Sequence, residues 1–149
     1  MQSLFTDEGL QAVKGRIERL RADAQPQWGK MNAGQMLAHV RMTMEVPLGT
    51  HQLKPMFIMK FIGGMIRKKI LSDKPLAKNS PTATTLMVAD QRDFANEKQA
   101  LLKTLETFTA QGRQGNMPDR HPYFGKMGPA DWDLFQQRHL EHHLSQFGV

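Results

Sequence analysis

Apolar residues recur along this chain at three- and four-residue steps, and four stretches carry the pattern of a helix with one buried face. The first holds Leu10, Val13, Ile17 and Leu20, and it runs from a cap at Thr6 or Asp7 to about Ala24, where Gln25-Pro26 stops it. The second opens at Asn32, which stands at capping-box spacing before Gln35, and carries Met36, Val40 and Met44. The third carries Leu101, Leu105 and Phe108 behind a cap at Asp93, and ends near Gln111-Gly112. The last starts at Pro129, whose missing N–H is harmless in a first helical turn, and continues to about Gln146.

The connecting stretches read differently. From Pro55 to about Leu71 a further helix is expected, softened at Gly63-Gly64 and closed by Arg67, Lys68 and Lys69 at its negative end. It reads as an irregular, surface-lying insertion rather than a core element. Ser72 to Asp90, with Pro75 and Pro81, reads as a long crossover. The run Thr84 to Val88 resembles a strand, but no second run could pair with it, so it is assigned to loop. Arg113 to Gly128 is read as loop as well. The expected fold is therefore all-α: a four-helix bundle with a long crossover between its second and third core helices and one additional irregular helix. At 149 residues with 40% apolar composition, the chain is expected to form a single domain, residues 1–149, with one core.

Charge and composition narrow the chemistry. Net charge is +6, and the stretch from His51 to Ser80 carries the whole excess, with Lys54, Lys60, Arg67, Lys68, Lys69, Lys74 and Lys78 against Asp73 alone. That patch is either a solvated helix end or an attraction for an anionic partner or small-molecule substrate. Nucleic acid is disfavoured, because the basic residues are not interleaved with aromatics for base stacking. There is no cysteine, which excludes disulfides, thiolate metal sites and a cysteine nucleophile. No signal peptide is visible, and the greasiest segment, Met56 to Ile66, is interrupted by Lys60 and far too short to span a bilayer. A cytoplasmic location is expected, and a membrane-surface role for the basic, apolar segment ranks last among its readings. Self-association through Met56 to Ile66, giving a homodimer, ranks above it.

The candidate chemistry lies in the histidines. Of six, His139, His142 and His143 fall in the last helix. His139 and His143 are four residues apart, so their rings share a face one turn apart and can reach one ion at about 2.0–2.1 Å from each nitrogen. His142 points roughly 100° away. Such a pair alone more often serves as hydrogen-bonded core histidines, but His39 in the second helix can complete a site across the bundle. Three neutral imidazoles leave a divalent ion coordinatively open, unlike a closed structural zinc site. Leu140, not glutamate, follows His139, so the metalloprotease motif is absent. No protein general base is evident, and catalytic residues remain unassigned.

Other positions are candidates around that centre. Gln35 and Gln146 can orient an imidazole or hold a water, although Gln35 is equally a capping residue. His121, with Tyr123 and Phe124 in the preceding loop, can lie over the metal end. Trp132 is a candidate pocket wall, and His142 either belongs to the outer shell or makes a solvated interhelix pair with Glu141.

The segments Trp28-Gly29-Lys30-Met31-Asn32-Ala33-Gly34-Gln35-Met36-Leu37-Ala38-His39 and His139-Leu140-Glu141-His142-His143-Leu144-Ser145-Gln146-Phe147-Gly148 closely resemble the DinB-like superfamily. His121-Pro122-Tyr123-Phe124-Gly125-Lys126, with Trp132 after it, is similar to an uncharacterised branch of that superfamily. The resemblance implies a DinB-like four-helix bundle and a divalent metal, nickel or zinc foremost with manganese or iron also compatible, on His39, His139 and His143. It further implies a metal-dependent thiol S-transferase, isomerase or hydrolase working with a low-molecular-weight thiol cosubstrate. The alternative is a non-catalytic metal-binding or scaffold bundle that self-associates.

Overall fold

The structure, a computed structural model, describes residues 2–72, 74–80 and 83–149; Asp73 and Pro81, which the sequence places in the basic segment and the crossover, lie outside them. Its helices are α1 (Asp7–Arg19), α2 (Ala33–Glu45), α3 (Met59–Ile70), α4 (Phe94–Arg113) and α5 (Pro129–Gln146), and a two-stranded hairpin joins β1 (Arg120–His121) to β2 (Gly125–Lys126). α1, α2, α4 and α5 enclose the core, and α3 packs outside it on the hairpin. The fold is all-α and bundle-like, as the periodicity indicates.

Local chemistry fixes most of the boundaries. Thr6 Oγ1 accepts from the Gly9 amide at 3.1 Å to start α1. Asn32 and Gln35 form the reciprocal capping box of α2, at 2.9 and 3.0 Å. Asp93 Oδ1 accepts from the Asn96 amide at 2.8 Å and opens α4. α1 stops at Arg19 rather than near Ala24, because Leu20 turns into extended backbone with its side chain in the core. The carbonyls of Glu18 and Leu20 then receive the Lys98 ammonium at 2.7 and 3.0 Å, so helix-end acceptors are satisfied from α4.

Two further expectations are corrected. α3 begins at Met59 rather than Pro55 and runs unbroken through Gly63-Gly64. Gly63 is a point of close approach, since a Cβ there would lie 1.9 Å from the Tyr123 carbonyl oxygen. The stretch between α4 and α5 is not all loop. His121 pairs with Gly125, and Arg120 with Lys126, around a turn in which His121 Nδ1 accepts from the amides of Tyr123 and Phe124 at 3.0 and 3.3 Å. Likewise Thr84–Leu86 forms one 3-10 turn within the crossover, with Leu86 and Val88 buried.

Candidate metal centre

His39 lies in the middle of α2, and His139 and His143 lie one turn apart on α5. The packing of α2 on α5 brings the three rings together. Ring centroids are 5.0 Å apart for His39 and His139, 4.8 Å for His39 and His143, and 4.6 Å for His139 and His143. One ring nitrogen from each lies within 4.8 Å of the others, and no further histidine, cysteine or carboxylate joins the group among the described residues. All three are buried, at 4%, 9% and 7% exposure for His39, His139 and His143.

Burial sets their charge state. Desolvation drives the His39 pKa down, with partial opposition from its bond to Leu86. Desolvation, then the neighbouring histidines, pushes His139 well below the usual value. His143 is pushed down to about 3, again chiefly by desolvation. At neutral pH the cluster is three neutral imidazoles, each with one N–H and one lone pair.

The outer hydrogen bonds decide which nitrogen carries which. His39 Nδ1 sits 2.8 Å from the Leu86 carbonyl, which can only accept, so the proton is on Nδ1 and the lone pair is on Nε2. His143 Nδ1 faces Gln146 Oε1 at 2.9 Å. The other end of that amide, Nε2, donates to the Trp28 carbonyl, which fixes its orientation. His143 therefore also keeps its lone pair on Nε2. Holding the outer nitrogen of a ligand histidine on a carbonyl or amide is how metal sites orient their imidazoles.

The donor set fits a metal ion. His39 Nε2 and His139 Nε2 are 3.1 Å apart. Two nitrogens bound to one ion at about 2.0–2.1 Å are separated by roughly 2.9–3.4 Å. Without an ion, His139 Nδ1 is buried with no hydrogen-bond partner among the described residues. Three neutral imidazoles can hold a divalent ion without neutralising it.

The other expected residues divide. Gln146 touches the centre through His143. Gln35 does not: its Oε1 serves the α2 cap and its Nε2 donates to the Asp90 carbonyl at 3.1 Å. His121 stacks on Phe124 and meets the edge of Phe135, which in turn lies against His139, so it is one ring removed. The Tyr123 hydroxyl donates to the Lys54 carbonyl at 2.6 Å. Trp132 is fully buried, with Nε1 donating to the Pro118 carbonyl at 2.8 Å. His142 abuts both His143 and Trp28 and lines a cavity of about 490 Å³ with Leu76, Lys78 and Arg138. Glu141 pairs with Arg16 of α1 at 2.6 Å, not with His142.

Two contributors were not foreseen. The Leu86 carbonyl is a backbone group and leaves no mark in the sequence. Gly29 carries only the general signal of a glycine, a residue that tolerates positive φ and close approach. Its φ is +82°, and a Cβ there would stand 2.7 Å from Gln146 Nε2, so glycine leaves room for the amide that holds His143.

A family model described as a protein of unknown function (DUF1569) matches residues 1–148. No curated protein and no solved structure matches the chain.

Proposed function

The chain belongs to the DUF1569 family, whose description assigns no activity, and we propose one from the site itself: a divalent-metal centre on His39, His139 and His143 that serves thiol-dependent transfer, isomerisation or hydrolysis. The observation that carries the reading is the pair of outer hydrogen bonds, from His39 to Leu86 and from His143 to Gln146, which turn two Nε2 lone pairs toward a common point. The resemblance to the DinB-like superfamily supports the same three ligands and the same chemistry, with nickel or zinc as the leading ions.

A bound divalent ion would supply Lewis acidity, lowering the pKa of a water or thiol and stabilising charge that develops on the substrate. The protein's own part is positional. Leu86 and Gln146 hold two ligand protons outward. Phe135, beside His139, gives the centre an apolar wall, which strengthens electrostatic interactions there. The absence of cysteine requires that any thiol arrive as cosubstrate. The excess of lysine and arginine between His51 and Ser80 favours an anionic one.

Titration of chelator-treated protein with nickel or zinc tests the centre. One ion per chain is expected, with binding lost in His39→Ala and in His139→Ala. Wild-type binding in both variants would refute it. Turnover of an electrophile by the loaded protein with a low-molecular-weight thiol tests the enzymatic part. The burial of all three rings, none above 9% exposed, favours a second reading in which the ion is structural. Metal binding with no thiol-dependent turnover would establish that second reading.

A further inference from the structure

α3 and the turn before it present the one large apolar surface of the described residues that faces solvent. Phe57, Phe61 and Met65 are 71%, 70% and 71% exposed, and Met56 and Ile58 extend the patch. The helix is apolar on both sides: Met59, Ile62, Ile66 and Ile70 are half-buried on its inward face, and the aromatic residues lie opposite. The single buried residue of α3 is Gly63, seated on the Tyr123 carbonyl. At about 100° per residue, Phe61 and Met65 each point roughly 160° away from it. The helix therefore lies on the protein by Gly63 and its isoleucines and turns its aromatic side outward.

The surroundings of that patch are cationic. Lys54, Lys60, Lys68 and Lys69 are exposed along the same segment. Beside Met65, a cavity of about 470 Å³ is lined by Gly64, Met65, Arg67, Lys68, Phe124 and Lys126, with no acidic residue in its wall. Arg67 is paired with Asp131 at 2.6 Å, so among the described residues Lys68 and Lys126 supply the unpaired charge there. An outward apolar arc of Phe and Met, rimmed by lysine, is the arrangement of a helix that lies in the plane of a bilayer interface. No helix among the described residues is long and apolar enough to cross one.

We infer that α3 docks this protein on anionic phospholipid surfaces, with Phe57, Phe61 and Met65 entering the headgroup–acyl boundary and Lys68 and Lys126 holding a lipid phosphate. A second copy of the chain is the poorer occupant. Pairing two α3 helices through this face would set lysines against lysines with no exposed acid on either helix, and such juxtapositions are strongly unfavourable. The inference is independent of the metal centre.

Vesicle co-sedimentation of the full chain tests it. Binding to phosphatidylcholine vesicles that contain phosphatidylglycerol should exceed binding to phosphatidylcholine alone by at least about tenfold, and should weaken as salt rises. Phe57→Ser combined with Phe61→Ser should weaken binding by at least about tenfold, because aromatic burial is lost. Lys68→Glu with Lys69→Glu should weaken it by roughly twenty-fold or more. These positions are exposed, and unchanged helicity by circular dichroism in either pair keeps the comparison valid. No binding to anionic vesicles, or equal, salt-insensitive binding to neutral ones, overturns the inference. So does a doubled mass in sedimentation that Phe61→Ser abolishes, which would assign the face to a second copy.

Discussion

Gln146 lies one turn after His143 on α5 and accepts from its Nδ1 at 2.9 Å, while its amide nitrogen is tied to the Trp28 carbonyl. One side chain thus connects a candidate metal ligand to the loop before α2. Gln146→Leu keeps the volume and removes the orienting bond. Metal affinity should fall about tenfold to a hundredfold, read by competition with a coloured chelator, with the helical content retained.

Gly29 supports that amide from below. Gly29→Ala faces both a positive φ and a 2.7 Å approach to Gln146 Nε2, whereas Gly115→Ala faces a positive φ of +74° with nothing within 4 Å. Both variants should lose roughly 1 kcal/mol in urea unfolding from backbone strain. Only Gly29→Ala should also weaken metal binding. Equal metal affinity in the two would detach Gly29 from the centre.

His139 is the ligand whose outer nitrogen has no partner. In the metal-free protein His139→Leu removes that orphan but strips buried His39 Nε2 of its partner at 3.1 Å, so the stability of the apo form should change by less than about 1 kcal/mol while metal uptake is abolished. Unfolding by urea in the presence of chelator measures the first effect. A loss of several kcal/mol would mean that the outer nitrogen of His139 is also satisfied in solution.

Acid should unfold the chelator-treated protein early. Burial holds His121 at about 4, below its unfolded value near 6.5, so the unfolded chain binds the proton first. Its contribution is present above pH 6.5 and is lost as pH falls through about 4, by roughly 3 kcal/mol at full extent. His121 is not a ligand, and His121→Asn retains an acceptor for the hairpin amides. This variant should show a shallower decline of unfolding free energy between about pH 6.5 and 4.

What the sequence disclosed follows the range of the forces. The caps at Asn32 and Asp93 and the start at Pro129 are set by residues within one turn, and they are visible in the text. The His139–His143 pair is visible because helical periodicity places both on one face. The early end of α1 depends on Lys98, 78 residues beyond Leu20, and has no local sign. The hairpin is hidden for a mixed reason: the His121 ring bonds amides two and three residues on, but a ring nitrogen accepting in a turn has no distinctive text, and the seat for Gly63 is long-range. Gln35 and Gln146 look alike as orienting groups in the sequence. Only the packing shows that the first is spent on a cap and the second on a ligand.

Elemental analysis of protein purified without an affinity tag addresses the central claim most directly, with wild type and His143→Ala prepared side by side. Close to one nickel or zinc per chain in the wild type, and a trace in the variant, is the predicted result. A metal-free wild type that also fails to take up either ion on reconstitution would contradict it.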